Sequence, residues 1–529
     1  MQSSHKKLSK EALIKLLSSR FITQEKKLSH IPNPTLLQDA PKAAKRIAEY
    51  IRAKKRITLV GDYDVDGVSS SAIMAEFFKQ IPYPLEVIIP NRFRDGYGVS
   101  PTLLERIDTD LIITVDNGIS ALEASKICKE RNIELIITDH HTPPHTLPEA
   151  YAIVDPKLES CEYPFKEICG AQVAWLLLGV LKKELALSID MRQFLDILAI
   201  AIIADIMPLV DINRTLVKEG LKLLIHSTRP SSIIIRDFLN KSSISSEDIA
   251  FSIAPRLNSA GRLEDASIAL DFFCASDTHS AYKQFELLGE LNERRKETEA
   301  LATQEAIESV NEEDSVIVVA QEGWNEGVVG IVASRLVDKF GKPAIVLSIE
   351  DGVAKGSARS LAEVSIYEII KENEHFLKKF GGHKMAAGLS LNAEDIDVFR
   401  EGVNLSASKL DPKDFIPKDE VSGIVAFEDL DFELLEILES FEPYGEANPR
   451  PTFLVQNAEV VSIKLMGKDK SHSRIEIREY PHQRETKELI AFRRVFEMPD
   501  NKKITAQYKV AKNEFNGRVS LQLLVDKIY

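Results

Sequence analysis

Three apolar runs of strand length in this sequence lead straight into acidic or imidazole side chains. They are Ile57-Thr-Leu-Val-Gly-Asp-Tyr-Asp-Val-Asp-Gly67, Leu111-Ile-Ile-Thr-Val-Asp-Asn-Gly118 and Leu135-Ile-Ile-Thr-Asp-His-His141. Unbroken apolar runs suit strands of a parallel sheet that is covered on both faces. In an open parallel sheet the crevice beyond the carboxyl ends of the strands is where ligands bind. Five carboxylates and two histidines meeting there repel one another unless cations lie among them. The pattern therefore asks for an α/β fold and a dinuclear metal centre together.

The flanking sequence predicts an α/β multidomain protein. From about residue 45 to 160, apolar runs alternate with helical stretches over Val68–Ile81 and Ile119–Arg131, the signature of βαβ units. Further strands are expected at Leu85–Pro90 and Ala152–Asp155. Residues 170–310 read as helical and end in a long polar helix over Tyr282–Val310, of the kind that bridges two domains. A second α/β unit follows, with strands near Ser315–Ala320 and Pro343–Ile349, a helix from about Val328 to Phe340, and a glycine-rich close at Phe380–Gly388. After the turn-rich Glu442-Pro-Tyr-Gly-Glu-Ala-Asn-Pro-Arg-Pro451 the pattern becomes short alternating strands such as Arg474–Arg478 and Val519–Leu524, which suggests an OB-like β-barrel. The expected domains are a helical segment over 1–45, broken at Pro32 and Pro34, a catalytic α/β domain over 46–215, a helical connector over 216–310, a second α/β domain over 311–440 and the barrel over 441–529.

Composition narrows the class further. The longest apolar run, Ile197 to Ala204, is far short of the about 20 residues a membrane-spanning helix needs. The lysine-bearing N-terminal stretch is interrupted by Lys15 and reads as an amphipathic helix rather than a targeting segment. Cys128, Cys161, Cys169 and Cys274 form no Cys-x-x-Cys pair and are expected to be reduced thiols of a cytoplasmic protein. A net charge of -14 hides an uneven distribution, because the segment from Arg450 onward has sixteen basic and ten acidic residues. An acidic body with a basic tail is compatible with a polyanionic partner, and equally with a tail that only solvates itself.

The metal-binding candidates have a bland alternative, since one acid after a strand is often a helix cap. That reading stays open for Asp116 and Asp155. One cap needs one carboxylate, so it leaves Asp62, Asp64 and Asp66 unexplained as a set. Gly67 is expected to allow the tight turn after them, and Asn117-Gly118 to let the chain turn away after Asp116. Asp205 ends a fully apolar segment, where burial requires a partner. Carboxylate oxygens suit Mg²⁺ or Mn²⁺, and an imidazole tilts the choice toward Mn²⁺. Two ions about 3.5 to 4 Å apart, bridged by a shared carboxylate, would clamp the attacking and leaving oxygens of a phosphoryl displacement.

Asp139-His-His, Asp-Tyr-Asp-Val-Asp-Gly, Val115-Asp-Asn-Gly and Ala204-Asp205 together resemble the DHH phosphoesterase superfamily. From about residue 45 to the C-terminus the chain is similar to its bacterial RecJ family of single-strand-specific exonucleases, with the four motifs in family order. The resemblance implies two Mn²⁺ or Mg²⁺ ions on Asp62, Asp64, Asp66, Asp116, His140 and Asp205. It also implies catalytic roles for Asp64, His140 and His141, the last holding a ligand or touching the phosphate. Many relatives acting on small substrates begin the first motif with histidine where Asp62 stands here.

On the substrate side, Ala254-Pro-Arg-Leu-Asn-Ser-Ala-Gly-Arg262 offers arginine forks suited to phosphates and a flexible glycine; Arg256, Asn258 and Arg262 are the candidates. A loop with surface arginines explains the same residues. Gly323–Gly330, Lys355–Ser360 and Gly381-Gly-His383 read as glycine-rich turns whose amides meet anions, with Ser357, Arg359, Gly381, Gly382 and His383 as phosphate contacts. The resemblance implies a DHH-associated domain whose Gly-Gly-His loop faces the centre, so that a 5′-phosphate pocket would set polarity. Among Tyr480, Phe492, Phe496, Tyr508 and Phe515, interleaved with Arg493 and Arg494, about two are expected to stack on bases.

The expected function is metal-dependent degradation of single-stranded DNA in the 5′ to 3′ direction to 5′ mononucleotides, in repair and recombination, with single-strand-binding protein as a partner. A slot between the two α/β domains, too narrow for duplex, would give strand specificity. A phosphodiesterase of short oligonucleotides or cyclic dinucleotides shares the metal motifs but needs neither the basic barrel nor the length. A non-catalytic replication scaffold is disfavoured by the intact ligand set.

Overall fold

The computed structural model describes residues 6–529 except 22–25, 418–420, 468–469, 480–484, 493 and 516–517, and it leaves aside the side chains of 514, 515 and 518. Three sheets organise the chain. The first contains β1 (Ile57–Val60), β2 (Glu86–Ile88), β3 (Leu111–Val115), β4 (Glu134–Thr138) and β5 (Ala152–Val154), in the order β2-β1-β3-β4-β5 with every pairing parallel. All residues of β1 and β3 are buried, as unbroken apolar runs require when helices cover both faces. The chain moves outward from β1 to β2 and then returns to β3 on the other side of β1. That reversal creates the crevice where ligands bind.

Helix Leu195–Ala204 is apolar except for Asp196, whose carboxylate accepts from Ser227, Arg229 and Ser232, and each residue from Leu195 to Ile203 is buried. Further helices lead to Thr278–Glu308, a 31-residue helix roughly 46 Å long. Asp277 caps its start by accepting the Ser280 N–H. Its first half places Ala281, Phe285, Leu288 and Leu291 in the core of the first unit, and its second half places Ala302 and Ala306 in the core of the next. One helix thus belongs to two cores and fixes their separation.

The second sheet has β6 (Ile317–Glu322), β7 (Ala344–Glu350), β8 (Val353–Arg359), β9 (Leu377–His383) and β10 (Ala386–Asn392) in the order β6-β7-β8-β10-β9. Only β6 and β7 pair in parallel. Two of the predicted glycine-rich turns are strands. Residues 355–359 lie in β8, paired on both sides, so its amides serve the ladders. Gly381, Gly382 and His383 end β9 in a hairpin with β10.

The third sheet starts with β11 (Val421–Gly423), ahead of the proline-rich hinge, and continues through β12 (Thr452–Met466), β13 (His472–Arg478), β14 (Lys487–Ala491), β15 (Lys503–Phe515) and β16 (Arg518–Ile528). Pairing of β15 with β12 closes β12-β13-β14-β16-β15 into a barrel. The N-terminal helix Lys10–Ser18 contributes Leu13 and Leu17 to the same core as Leu434 and Leu438 of helix Phe432–Ser440 and the barrel strands. Lys10 pairs with Asp431 and Glu433 at that junction.

Among the barrel aromatics, Tyr508 is buried beside Phe453, Phe496 packs against the core and Phe492 is 54% exposed. Tyr480, Arg493 and the side chain of Phe515 lie outside the described residues. Cys128, Cys161 and Cys169 are buried, Cys274 is half-buried, and all four are free thiols. Among the described residues no helix is long and apolar enough to cross a membrane.

Candidate metal centre

The first cluster follows β1, and local capping accounts for part of it. Asp64 is the N-cap of helix Val65–Phe78, its Oδ1 accepting the Gly67 N–H at 3.0 Å. Asp62 Oδ1 accepts the Tyr63 N–H. Asp66 reaches to the start of helix Gly170–Glu184, where its two oxygens accept the N–H groups of Gly170 and Ala171 at 2.6 and 2.9 Å. A carboxylate is well placed at a helix N-terminus. Gly67 lies within the helix rather than in a turn; a Cβ there would stand 2.5 Å from that of Asp62, so its contribution is space.

Asp116 follows β3 with φ +62°, a left-handed conformation that is costly for a non-glycine residue and concentrates at functional sites. Asn117 holds it there, donating to the carbonyls of Val60 and Val115 and accepting from the Val99 N–H. Both Asp116 oxygens are buried without a hydrogen-bond partner. Asp205, directly after helix Leu195–Ala204, also has a buried oxygen without one.

The two histidines after β4 differ in environment. Asp139 accepts from Ile119 N–H at 2.9 Å, His140 N–H at 2.7 Å and His141 Nδ1 at 2.7 Å, so its oxygens are fully engaged in positioning. Burial alone would lower the His141 pKa, but the Asp139 hydrogen bond and charge outweigh it and push the value up to about 9. His140 is held below the usual imidazole range, first by burial, which favours the neutral ring that binds a metal. Its Nε2 lies 3.1 Å from Asp116, 3.6 Å from Asp205 and 3.7 Å from Asp66.

Three overlapping sets of these groups are placed so that they could hold a cation. One set is Asp62, Asp64 and Asp116; another is Asp66, His140 and Asp205; a third, Asp116, His140 and His141, links them. Burial first, and then neighbouring carboxylates, raise Asp62, Asp116 and Asp205 well above the usual carboxylate range. Buried, unpartnered and mutually repelling oxygens are what a divalent cation would relieve. A donor set of carboxylates with one imidazole fits Mn²⁺ or Mg²⁺. Asp155, after β5, is in none of these sets; its Oδ1 accepts the Lys157 N–H, and burial raises it to about 7.

A cleft of about 940 Å³ separates the centre from the second sheet. Tyr63, Arg92, Tyr97 and His141 line one wall, and Lys355, Ser357, Lys379 and Gly381–His383 the other. Arg359 donates to Ser357 Oγ at 2.6 Å and to the Ala358 carbonyl. Burial, followed by the charges of Arg92 and Arg295, lowers Arg262 to about 10, with Arg359 adding to the effect. Three further guanidiniums thus lie close enough to Arg262 to act on it, and Arg262 itself feels Asp64.

Two of them, Arg92 and Arg295, are not singled out by the sequence patterns. A signal for Arg92 does exist, since it stands past the end of β2 in the same crevice as the acids. Arg295 is hidden in the charged face of the bridging helix. Its Nε is buried without a partner.

The Ala254–Arg262 segment is a helix, Ala254–Leu263, rather than a loop. Arg256 is not brought to the centre: its guanidinium lies 4.5 Å from the rings of both Phe238 and Phe285 and donates to the Phe285 carbonyl. Asn258 Oδ1 accepts the Val65 N–H, supporting the turn that presents Asp64. Gly261 is packed rather than flexible, since a Cβ would come within 2.2 Å of the Tyr63 carbonyl oxygen.

A strand-end acid and histidine centre faced by a second α/β unit defines the DHH class. The family model for the DHH family, N-terminal domain, matches residues 56–202, and that for the DHHA1 domain matches 313–409. The RecJ OB domain model matches 421–527. The RecJ single-stranded-DNA-specific exonuclease of Haemophilus influenzae is 32% identical over 98% of this chain and 96% of its own length. Its Bacillus subtilis counterpart is 36% identical over 93% of this chain, which spans 64% of that protein. The crystal structure of Thermus thermophilus RecJ in complex with Mn²⁺ superposes with a TM-score of 0.80 at 29% identity, covering 93% of this chain and 72% of the other. The chain belongs to the RecJ family.

Proposed function

We propose that this protein is a metal-dependent exonuclease that degrades single-stranded DNA from the 5′ end to 5′ mononucleotides. The observation that carries this reading is the group of overlapping sets joined through Asp116 and His140, with buried oxygens that no protein donor meets. Asp62, Asp64 and Asp116 would hold one Mn²⁺ or Mg²⁺, and Asp66, His140 and Asp205 the other. When bound, the ions supply an activated water and neutralise charge on the scissile phosphate.

The protein's own groups orient the substrate around that centre. His141, kept protonated by Asp139, donates to a phosphate oxygen from the cleft wall. Arg262 and Arg92 offset backbone charge beside Asp64. Across the cleft, Ser357, Gly381, Gly382 and His383 hold the terminal phosphate, while Arg359 keeps the Ser357 hydroxyl in place. A terminus seated there leaves the rest of the strand on the barrel side, where exposed Phe492 offers a stacking face. Single-strand-binding protein fits as a partner in cytoplasmic repair and recombination, because the substrate is its natural cargo.

The test is product analysis on a single strand labelled at either end, with Mn²⁺ and with chelator. The 5′ label is expected to appear first as mononucleotide, and only with metal. Release from the 3′ end would overturn the polarity. A strong preference for a dinucleotide over the long strand would favour the short-oligonucleotide phosphodiesterase.

A further inference from the structure

Two short segments govern the carboxylates of the set Asp66, His140 and Asp205. The start of helix Gly170–Glu184 fixes Asp66, through the N–H groups of Gly170 and Ala171. The turn after helix Leu195–Ala204 fixes Asp205, whose own N–H donates to the Ala201 carbonyl. The segments are separate in the chain, so local capping does not set the distance between them.

One side chain joins them. Asn213, in the first turn of helix Asp211–His226, is wholly buried. Its Nδ2 donates to the Glu167 carbonyl at 2.8 Å, ahead of Gly170, and to the Pro208 carbonyl at 3.1 Å, past Asp205. Its Oδ1 accepts from Gln172 Nε2 at 2.8 Å. Gln172 is itself buried, and its Oε1 accepts the Cys169 N–H at 3.1 Å, so the pair of amides also caps the helix that holds Asp66.

The geometry around this pair leaves little slack. A Cβ on Gly170 would stand 2.6 Å from that of Asp116, so the segment that holds Asp66 already touches another of the acids. On the other side the Met207 N–H is tied to the Ile202 carbonyl and Ile206 takes φ +54°, which draws the turn after Asp205 tight. His140 Nε2 lies between, 3.6 Å from Asp205 and 3.7 Å from Asp66. Ligand distances at a metal are met to within about 0.2 Å, so a small shift of either segment is felt there. A buried amide is costly unless it is hydrogen-bonded, and all three bonds of Asn213 end on these two segments.

We propose that Asn213, with Gln172 as its partner, is the positioning residue of the cation site formed by Asp66, His140 and Asp205, and sets the distance between its two carboxylates. This rests on the metal-dependent reading and deepens it. Asn213 touches neither substrate nor ion. It acts through the Glu167 and Pro208 carbonyls, as groups behind the ligands commonly do at metal sites.

The experiment titrates metal-free protein with Mn²⁺ and follows the free ion by electron paramagnetic resonance. Asp62→Asn weakens the site on Asp62, Asp64 and Asp116, and Asp205→Asn weakens the other, so each background isolates one ion. Added to Asp62→Asn, Asn213→Ala should raise the Kd of the remaining ion about 10- to 100-fold, the usual cost of losing a group behind the ligands. Added to Asp205→Asn, it should change the Kd by less than about 2-fold, as for independent sites. Gln172→Leu in the Asp62→Asn background should raise the Kd about 5-fold, the worth of one hydrogen bond, and it decides the matter by the same comparison if Asn213→Ala fails to fold. Equal rises in both backgrounds would reduce Asn213 to a general support of the fold. No rise in either, even with a lower Tm, would also overturn the assignment. Because the readout is bound Mn²⁺, a parent protein that binds both ions yet degrades no DNA would overturn the exonuclease reading and leave the role of Asn213 standing.

Discussion

The two α/β sheets present their chemistry in opposite ways. In the first, every strand is parallel and most reactive groups lie past the strand ends, buried or half-buried; Asp205 joins them from a helix end, and it and Asp116 have buried oxygens that meet no donor. In the second, the β9–β10 hairpin carries Gly381, Gly382 and His383 on an exposed rim. Buried carboxylates without a partner are relieved by a bound cation or by a proton, whereas an exposed rim merely offers contacts. Loss in the first sheet should thus abolish chemistry, and loss in the second should weaken binding by degrees.

The largest effect is expected from Asp116→Asn. Asparagine tolerates the left-handed backbone at this position, so the fold should be retained while turnover falls to background. Because the change also removes a repelling charge, the metal-free Tm should stay the same or rise, as calorimetry would show. Residual turnover near that of the parent would erase the contrast between the sheets.

A smaller effect concerns pH. Asp62, Asp116 and Asp205 have folded-state pKa values above their unfolded ones, so the folded protein binds more protons and its stability falls as pH rises through the raised values. His140 works the other way, being lowered from 6.5, whereas His141, raised to about 9, and Asp155, raised to about 7, act in the same direction as the three acids. The metal-free Tm should therefore be higher at pH about 5.5 than at about 8, and Mn²⁺ should raise it more at the higher pH. A metal-free Tm that climbs across this range would show that the acids are not strained.

The smallest effect belongs to the second sheet. His383→Ala should raise KM about 10-fold for a 5′-phosphorylated strand, the usual worth of one hydrogen bond to a charged group. It should change KM little for a 5′-hydroxyl strand and leave kcat intact. A collapse of kcat would instead place His383 with the buried acids.

Much of the first sheet is legible in the amino-acid sequence. Apolar runs at 57–60, 111–115 and 135–138 announce buried strands through their lack of polar alternation, and the acids after them mark the crevice. The second sheet is less legible because glycine has two uses. Around 355–360 and 381–383 its density suggests turns, whereas Gly356 and Gly382 lie in strands where a Cβ would strike Val346 and Ala386 of the neighbouring strands. Arg256 misleads for a related reason, since an arginine chosen for phosphate and one stacked between Phe238 and Phe285 look alike in one dimension.

Local pattern determined which residues could hold metals, because strand period and the turn after it depend on neighbours in the chain. How those residues divide was decided only in three dimensions. Asp139 became the support of His141, Asp116 the link between two of the candidate cation sets, and Asn258 the support of Val65, through contacts that the tertiary fold creates. The same holds for the N-terminal helix, whose Leu13 and Leu17 complete the barrel core. Amphipathic pattern says that a face must be buried, but the surface that buries it is chosen by the packing of the whole chain.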